Sequence, residues 1–343
     1  MADKLRVLVA SPLEPEHVEA VRAVDPRVEV LYEPDLLPRP RYSADHTGIR
    51  PELSETDLGR WRDLRAGAHV SFDFDWLDPA AMPVNCPELR WVQATSAGIG
   101  QFARRTGLAD SDLVLTTAAG VHAVPLAEFA LTGVLHFVKG VPDLARRQAR
   151  RNWERYTTRG LTGLRLAVVG LGGIGRQVVK VFSALGVEVV GVGRPGRAYD
   201  IPGLSELWPF TEIDDALAGA GALVLACPLT DETEGLVGER QLAALAPGAV
   251  LVNISRGQVV DERALTEALA ARRLGGAFLD VFSTEPLPPE SPLWDMDNVV
   301  VSPHSASTVD TENRAITELF TDNLRRWLDG RPLRNVFDRE KGY

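Results

Sequence analysis

The chain has 343 residues, long enough for two domains that each bury a core of their own. Its 37 basic and 47 acidic residues leave a net charge of −10, and no run of lysine and arginine is interleaved with aromatics, so nucleic acid and anionic membrane surfaces are excluded as expected partners. Cys86 and Cys227 have neither metal-ligand spacing nor the company that a disulfide framework needs; no apolar run reaches 18 residues, and MADKLRVLVA holds no apolar stretch ending in a cleavage site, so the expectation is a cytoplasmic protein with reduced, buried cysteines and no metal site.

Residues 5–10 read as a buried strand, 14–24 as an amphipathic helix and 28–32 as a second strand. From 33 to 55 the pattern dissolves. Pro34, Pro38, Pro40 and Pro51 stand among polar residues with no period, which predicts a long loop. Residues 58–64 read as a helix and 69–72, 89–94 and 114–117 as strands, so the first 117 residues make a small α/β lobe. Apolar residues then recur at helical spacing from 124 to 138 before a basic, polar continuation, and this helix is expected to bridge two lobes. His122, Glu128 and His136 lie in or beside it and are read as capped or solvated residues without a catalytic role.

The segment 164–175, LRLAVVGLGGIG, is a short apolar run ending in Gly-x-Gly-x-x-Gly, followed by the helical RQVVKVFSALG. Strand, glycine turn and helix in that order fit a dinucleotide site. Gly170 allows the tight turn, Gly172 lets backbone amides approach a pyrophosphate, and Gly175 lets helix and strand pack closely. The helix N-terminus supplies unpaired N–H groups and a partial positive charge. Short apolar runs continue at 187–192, 223–226, 249–253, 276–281 and 299–302, separated by helix-length segments. Six strands joined this way call for right-handed crossovers and a doubly wound parallel sheet. Residues 308–328 form a last amphipathic helix expected to fold back on the first lobe. The expected domains are 118–304 for the dinucleotide and 1–117 with 305–343 for the substrate.

An NAD-binding turn places an acidic residue about 20 residues on, at the end of the second strand, to hold the ribose hydroxyls. Here that strand is VEVVGVGRPGR, with Arg194 at the position and Arg197 just beyond. No carboxylate repels a 2′-phosphate and two guanidiniums can pair with one, which favours NADP(H) over NAD(H).

Three further segments end strands of this sheet, where open α/β folds place their ligands: NISRGQVVDE with Arg256, LDVFSTEPLP with Asp280 and Glu285, and VVVSPHSAS with His304. Together with WVQATSAGIG, GVHAVPLAEFAL, GLGGIG, CPLTDETEGL and SPLWDMDNVVVSPH, they resemble the D-isomer-specific 2-hydroxyacid dehydrogenases, which include glyoxylate/hydroxypyruvate reductases and phosphoglycerate dehydrogenases. The likeness spans roughly residues 89–336. It implies a Rossmann doubly wound domain plus a flavodoxin-like α/β substrate domain, and an NAD(P)-dependent hydride transfer between nicotinamide and a 2-keto or D-2-hydroxy acid. It further implies that Arg256, Glu285 and His304 form a catalytic triad, that Asp280 touches the nicotinamide carboxamide, and that Gly173, Ile174, Cys227, Pro228, Thr233, Ile254 and Ser255 join the cofactor contacts. Backbone around Ala97, Gly98 and Ile99 would hold the substrate carboxylate, and pairing of two copies through the nucleotide domain would make a homodimer.

These residue types suit the chemistry on independent grounds. Reducing a 2-keto acid builds negative charge on the carbonyl oxygen, so the site needs a proton donor and a fixed cation. Arg256 keeps its charge near neutral pH and offers a planar fork; His304 can give and take a proton; Glu285 beside it favours the imidazolium. Formate dehydrogenase resembles the same scaffold but carries glutamine at the position of Glu285, so the glutamate argues for hydroxy-acid chemistry. Gly100 departs from the acidic or amide residue common in the family and leaves the rigidity of the carboxylate loop open. A rival of another class is a nucleotide-sensing interaction protein resembling C-terminal-binding corepressors, which keep the same triad.

Overall fold

The structure, a computed structural model, describes residues 4–340 and residue 342. The chain divides into two compact units: residues up to His122 together with Thr308 onward, and Ala123–Ser307.

The first unit is built on five parallel strands, β1 (Leu5–Val9), β2 (Val28–Leu31), β3 (Val70–Phe72), β4 (Trp91–Gln93) and β5 (Val114–Thr116), in the order β2-β1-β3-β4-β5. Alternation of side chains gives each face its own core. Val7, Val9, Phe72 and Trp91 point to one side, where the helix Glu312–Leu328 lays Ile316, Phe320 and Leu324 across them. Phe320 lies 5.2 Å from the Phe72 ring and 5.3 Å from that of Trp91. The other face holds Leu8, Val92 and Leu115 with Trp61 of the helix Glu55–Ala66. There Asp75 accepts from Trp61 Nε1 at 3.1 Å and pairs with Arg65, a buried charge met by a buried charge.

The excursion at 33–55 has no apolar period because a carboxylate organises it. Asp45 is buried and accepts from Arg41 N and Nε, Thr47 N and Gly48 N at 2.7 to 3.2 Å, while Arg39 and Ile49 pair as an antiparallel bridge that closes the loop. The Arg41 hydrogen bond holds the Asp45 carboxyl well below the usual carboxylate range.

The second unit carries a parallel sheet of seven strands rather than the six expected: β6 (Arg165–Val169), β7 (Glu188–Gly193), β8 (Leu204–Pro209), β9 (Ala222–Leu225), β10 (Ala249–Asn253), β11 (Leu274–Leu279) and β12 (Val299–Val301), in the order β12-β11-β10-β9-β6-β7-β8. The extra strand, LSELWP, is an exposed, polar edge, so it lacks the apolar run that marks the others. Strand order reverses between β6 and β9, which puts the glycine turn after β6 at the switch point where such sheets bind ligands.

The helix Ala123–Val138 stops at Gly140, whose φ of +63° turns the chain into a separate helix, Val141–Ala149. No single described helix is long and apolar enough to cross a membrane. His122 is buried and paired with Glu312 at 2.9 Å, not solvated; Glu128 is exposed, and His136 sets its ring 4.8 Å from that of Phe137.

Candidate active site

The dinucleotide turn is set by two close approaches. Gly170 has φ +96°, and a Cβ there would stand 2.5 Å from the Cys227 backbone. A Cβ on Gly175 would stand 1.9 Å from the Gly170 carbonyl oxygen, so only glycine lets the helix Gly173–Ala184 begin against its own strand. Gly172 is the opposite case, with nothing within 4 Å of a Cβ and no side chain capping the helix. Bare amides facing open ground at the end of a twelve-residue helix fit the pyrophosphate of a dinucleotide.

After β7 the chain folds over Tyr199. The phenol oxygen accepts from Arg194 N at 3.0 Å, the Arg197 guanidinium lies 5.2 Å from the ring centre, and a Cβ on Gly193 would strike the ring at 2.6 Å. Tyr199 thus shapes a turn that bears two arginines, and the sequence reading missed it. Cys227 and Thr233 are buried: burial pushes the Cys227 thiol up to about 12, and the Thr233 hydroxyl donates to Pro228 O at 2.6 Å. These two side chains act from inside the loop that holds Pro228. Ile254 and Ser255 are buried likewise, Ser255 donating to Asn253 Oδ1 from both N (3.0 Å) and Oγ (2.7 Å).

Arg256, Glu285 and His304 follow the carboxyl ends of β10, β11 and β12. Asn253, the last residue of β10, also donates from Nδ2 to Arg256 O at 3.1 Å, so one amide ties down the whole turn. Gly257 then passes so close to the next loop that a Cβ would lie 1.9 Å from the Phe282 carbonyl carbon. That approach brings Arg256 near the chain carrying Glu285. The Arg256 Nη1 donates to Ser255 O at 2.7 Å; burial pulls its guanidinium below the usual range, with the charges of Glu285 and Asp280 acting against that pull.

Glu285 uses both oxygens. Oε1 accepts from Phe282 N at 3.0 Å, and Oε2 lies 2.8 Å from His304 Nδ1. His304 is exposed and has φ +54°, a left-handed conformation that a non-glycine residue keeps only when its surroundings impose it. Asp280 imposes it. Its carbonyl accepts from His304 N at 2.9 Å, and its buried Oδ1 accepts from Ser302 Oγ, Ser305 N and Ala306 N at 2.6, 2.8 and 2.9 Å. The arrangement provides a carboxylate-oriented imidazole, with its opposite nitrogen turned from the pair, and a nearby cation.

In the first unit Gly98 is exposed and Ala97 half-buried in the loop after β4, and buried Ile99 anchors it. The departure at Gly100 has a steric reason: a Cβ there would stand 2.0 Å from the Gly342 carbonyl oxygen, so the Gly342 backbone packs against the loop where a side chain would otherwise stand.

Residues 131–306 match the family model described as D-isomer specific 2-hydroxyacid dehydrogenase, NAD binding domain. The chain is 34% identical over 250 residues to the (S)-sulfolactate dehydrogenase of Chromohalobacter salexigens, covering 71% of this chain and 78% of that one. Its fold matches a D-isomer specific 2-hydroxyacid dehydrogenase from Xanthobacter autotrophicus, solved with NADPH and MES, at a TM-score of 0.79 and 29% identity over 100% of both chains. It matches an NADPH-dependent glyoxylate/hydroxypyruvate reductase from Sinorhizobium meliloti, solved with NADP and sulfate, at 0.77 and 26% identity over 99% of this chain and 100% of that one.

Gly257→Ala tests the close approach. Forcing a methyl against the Phe282 carbonyl is expected to cost about 1–3 kcal/mol of stability in a denaturant melt and to displace Arg256. A variant as stable as the parent would show that the two loops do not meet as described.

Proposed function

The chain belongs to the D-isomer specific 2-hydroxyacid dehydrogenases, NAD(P)-dependent oxidoreductases of CH–OH donors, and we propose that it interconverts a small 2-keto acid of the glyoxylate or hydroxypyruvate type with its D-2-hydroxy acid. Arg256, Glu285 and His304 are the reacting side chains in this reading. The observation that carries it is the 2.8 Å contact of His304 Nδ1 with Glu285 Oε2 on a backbone that Asp280 holds in an uncommon conformation.

When bound, the reduced nicotinamide supplies a hydride to the carbonyl carbon. Negative charge builds on the carbonyl oxygen, and His304 Nε2–H gives it a proton; in oxidation the same nitrogen takes the proton back. Glu285 fixes the ring through Nδ1 and leaves Nε2 to the reacting oxygen. Arg256 presents a planar cation to the carboxylate and the carbonyl oxygen. The amides of Ala97, Gly98 and Ile99 receive the carboxylate. Asp280 Oδ2, which makes none of the loop bonds above, is left to meet the carboxamide.

His304→Gln is expected to lower kcat about 10²- to 10⁴-fold on glyoxylate or hydroxypyruvate. Glu285→Gln should lower kcat about tenfold or more, because the ring loses the carboxylate that holds Nδ1, with nucleotide affinity little changed. Near-normal turnover by either variant sinks these roles. Flux on any keto acid also sets aside the corepressor-like alternative, which needs only binding.

NADP(H) is the preferred cofactor in this reading, supported by Arg194 and Arg197 on the Tyr199 turn and by the NADPH and NADP bound to the X. autotrophicus and S. meliloti proteins. At equal concentrations kcat/KM with NADPH should exceed that with NADH about tenfold or more, and Arg194→Ala with Arg197→Ala should erase the difference. A clear NADH preference in the parent refutes the assignment.

The active form is a homodimer joined through the nucleotide-binding unit. The helix Val141–Ala149 buries none of its side chains, Val141 and Leu144 stand exposed on it, and Trp153 just beyond is 100% exposed, an apolar face that a second copy would cover. Sedimentation equilibrium should give twice the chain mass for the parent and a shift toward the single chain mass for Leu144→Arg with Trp153→Arg. A parent that sediments at one chain mass at micromolar concentration overturns it.

A further inference from the structure

The first unit holds a polar cluster that neither the reacting side chains nor the carboxylate loop account for. It sits at the carboxyl ends of β1, β3 and β4, where the order β2-β1-β3-β4-β5 reverses and an open sheet offers a crevice. Ser11 follows β1 and is buried, with Oγ 2.6 Å from Nδ1 of His46, which the excursion delivers. His46 Nε2 is buried without a partner. Asp73 directly follows β3 with φ +69°, a conformation that costs free energy in a residue with a side chain. Its backbone is pinned on both sides, Asp73 N donating to Gln93 O at 2.7 Å and Ser71 Oγ donating to Asp73 O at 2.6 Å. Phe74 N donates to Oδ1 at 2.9 Å and Thr95 Oγ1 to Oδ2 at 3.1 Å, and with the Thr95 backbone N–H as a third donor the carboxylate keeps one further lone pair. Burial pushes the Asp73 carboxyl up, and the neighbouring His46 acts against that.

The chemistry of the cluster is one donor beside one acceptor. The Ser11 hydroxyl can donate to His46 Nδ1, which leaves the ring proton on Nε2. An unpartnered buried N–H and an anionic oxygen with a spare lone pair are both satisfied by a group that accepts and donates at once. A hydroxyl does this. A methyl does neither, and a phosphate, sulfonate or carboxylate offers no proton and meets the Asp73 charge. Thr95, which holds Asp73, lies two residues before Ala97 on the same loop, so the cluster adjoins the backbone assigned to the substrate carboxylate.

We propose that His46 and Asp73 select 2-keto acids that carry a hydroxyl on C3, His46 Nε2–H donating to that oxygen and Asp73 accepting its proton, and that they turn away acids with an anionic C3 substituent. The inference rests on the hydroxyacid dehydrogenase reading above. It makes Asp73 and His46 specificity residues with no part in proton transfer to the carbonyl.

The test compares kcat/KM for glyoxylate, pyruvate, hydroxypyruvate and 3-phosphohydroxypyruvate with saturating NADPH. The parent should favour hydroxypyruvate over pyruvate by about 10- to 100-fold, the scale on which a buried polar group left unpaired discriminates. It should also favour hydroxypyruvate over the phosphorylated acid. His46→Leu should bring the hydroxypyruvate to pyruvate ratio near one, and Asp73→Asn should raise the phosphorylated acid relative to hydroxypyruvate about tenfold. Each ratio is taken within one variant, so lost protein does not enter it. Glyoxylate has no C3 and reports on the reaction centre alone. A parent without the hydroxyl preference, variants that keep parental ratios, or variants that lose glyoxylate in step with the others overturn the proposal. A parent that reduces none of the four removes the dehydrogenase reading itself, and this inference with it.

Discussion

One buried oxygen sets the geometry on which the second unit depends. Asp280 Oδ1 gathers Ser302 Oγ, Ser305 N and Ala306 N, and the Asp280 carbonyl takes His304 N, so four donors from a five-residue stretch converge on one residue at the end of β11. A carboxylate with this many donors is stable in a buried setting, and the strain of a left-handed histidine is met locally. The Glu285 contact then needs no further organisation, because the ring already faces the loop that follows the same strand. Asn253 has the matching task one strand over, gathering Ser255 and Arg256. Arg256 and His304 are thus held by two polar residues that close apolar strands.

Much of this was legible in the sequence, for physical reasons. Strands buried on both faces spell continuous apolar runs, so β6, β9 and β10 announce themselves, and Gly170 and Gly175 mark contacts that no side chain permits. The strand β8 was not legible, since an edge needs no apolar run. Tyr199 was passed over because a tyrosine after a strand has many ordinary uses, and only Gly193 pressed against its ring betrays it. Asn253 offered a signal that went unused: an amide closing the run AVLVN is a polar group at the rim of a core and must have partners there.

The first unit shows the limit of reading by period. Its excursion looks shapeless as text, four prolines among polar residues, yet Asp45 gives it a fixed form by collecting five donors in the turn beside His46. Organisation by a single carboxylate leaves no repeat along the chain. The same holds for Gly100, whose partner Gly342 lies at the far end of the sequence and cannot be inferred from its neighbours. His122 and Glu312, too, meet only because the last helix returns to the first sheet.

The uncovered margin of the seven-stranded sheet has its own consequence. β8 presents unpaired peptide groups to solvent, a template on which a foreign strand could grow, and it ends in Pro209 and carries the charged Glu206. Arg165 and the Trp208 indole N–H hold the Glu206 carboxyl down to about 2, so its ion pair with Arg165 persists deep into acid. Strand addition along that border would therefore have to desolvate a charged pair that persists under conditions in which ordinary carboxylates have already been neutralised.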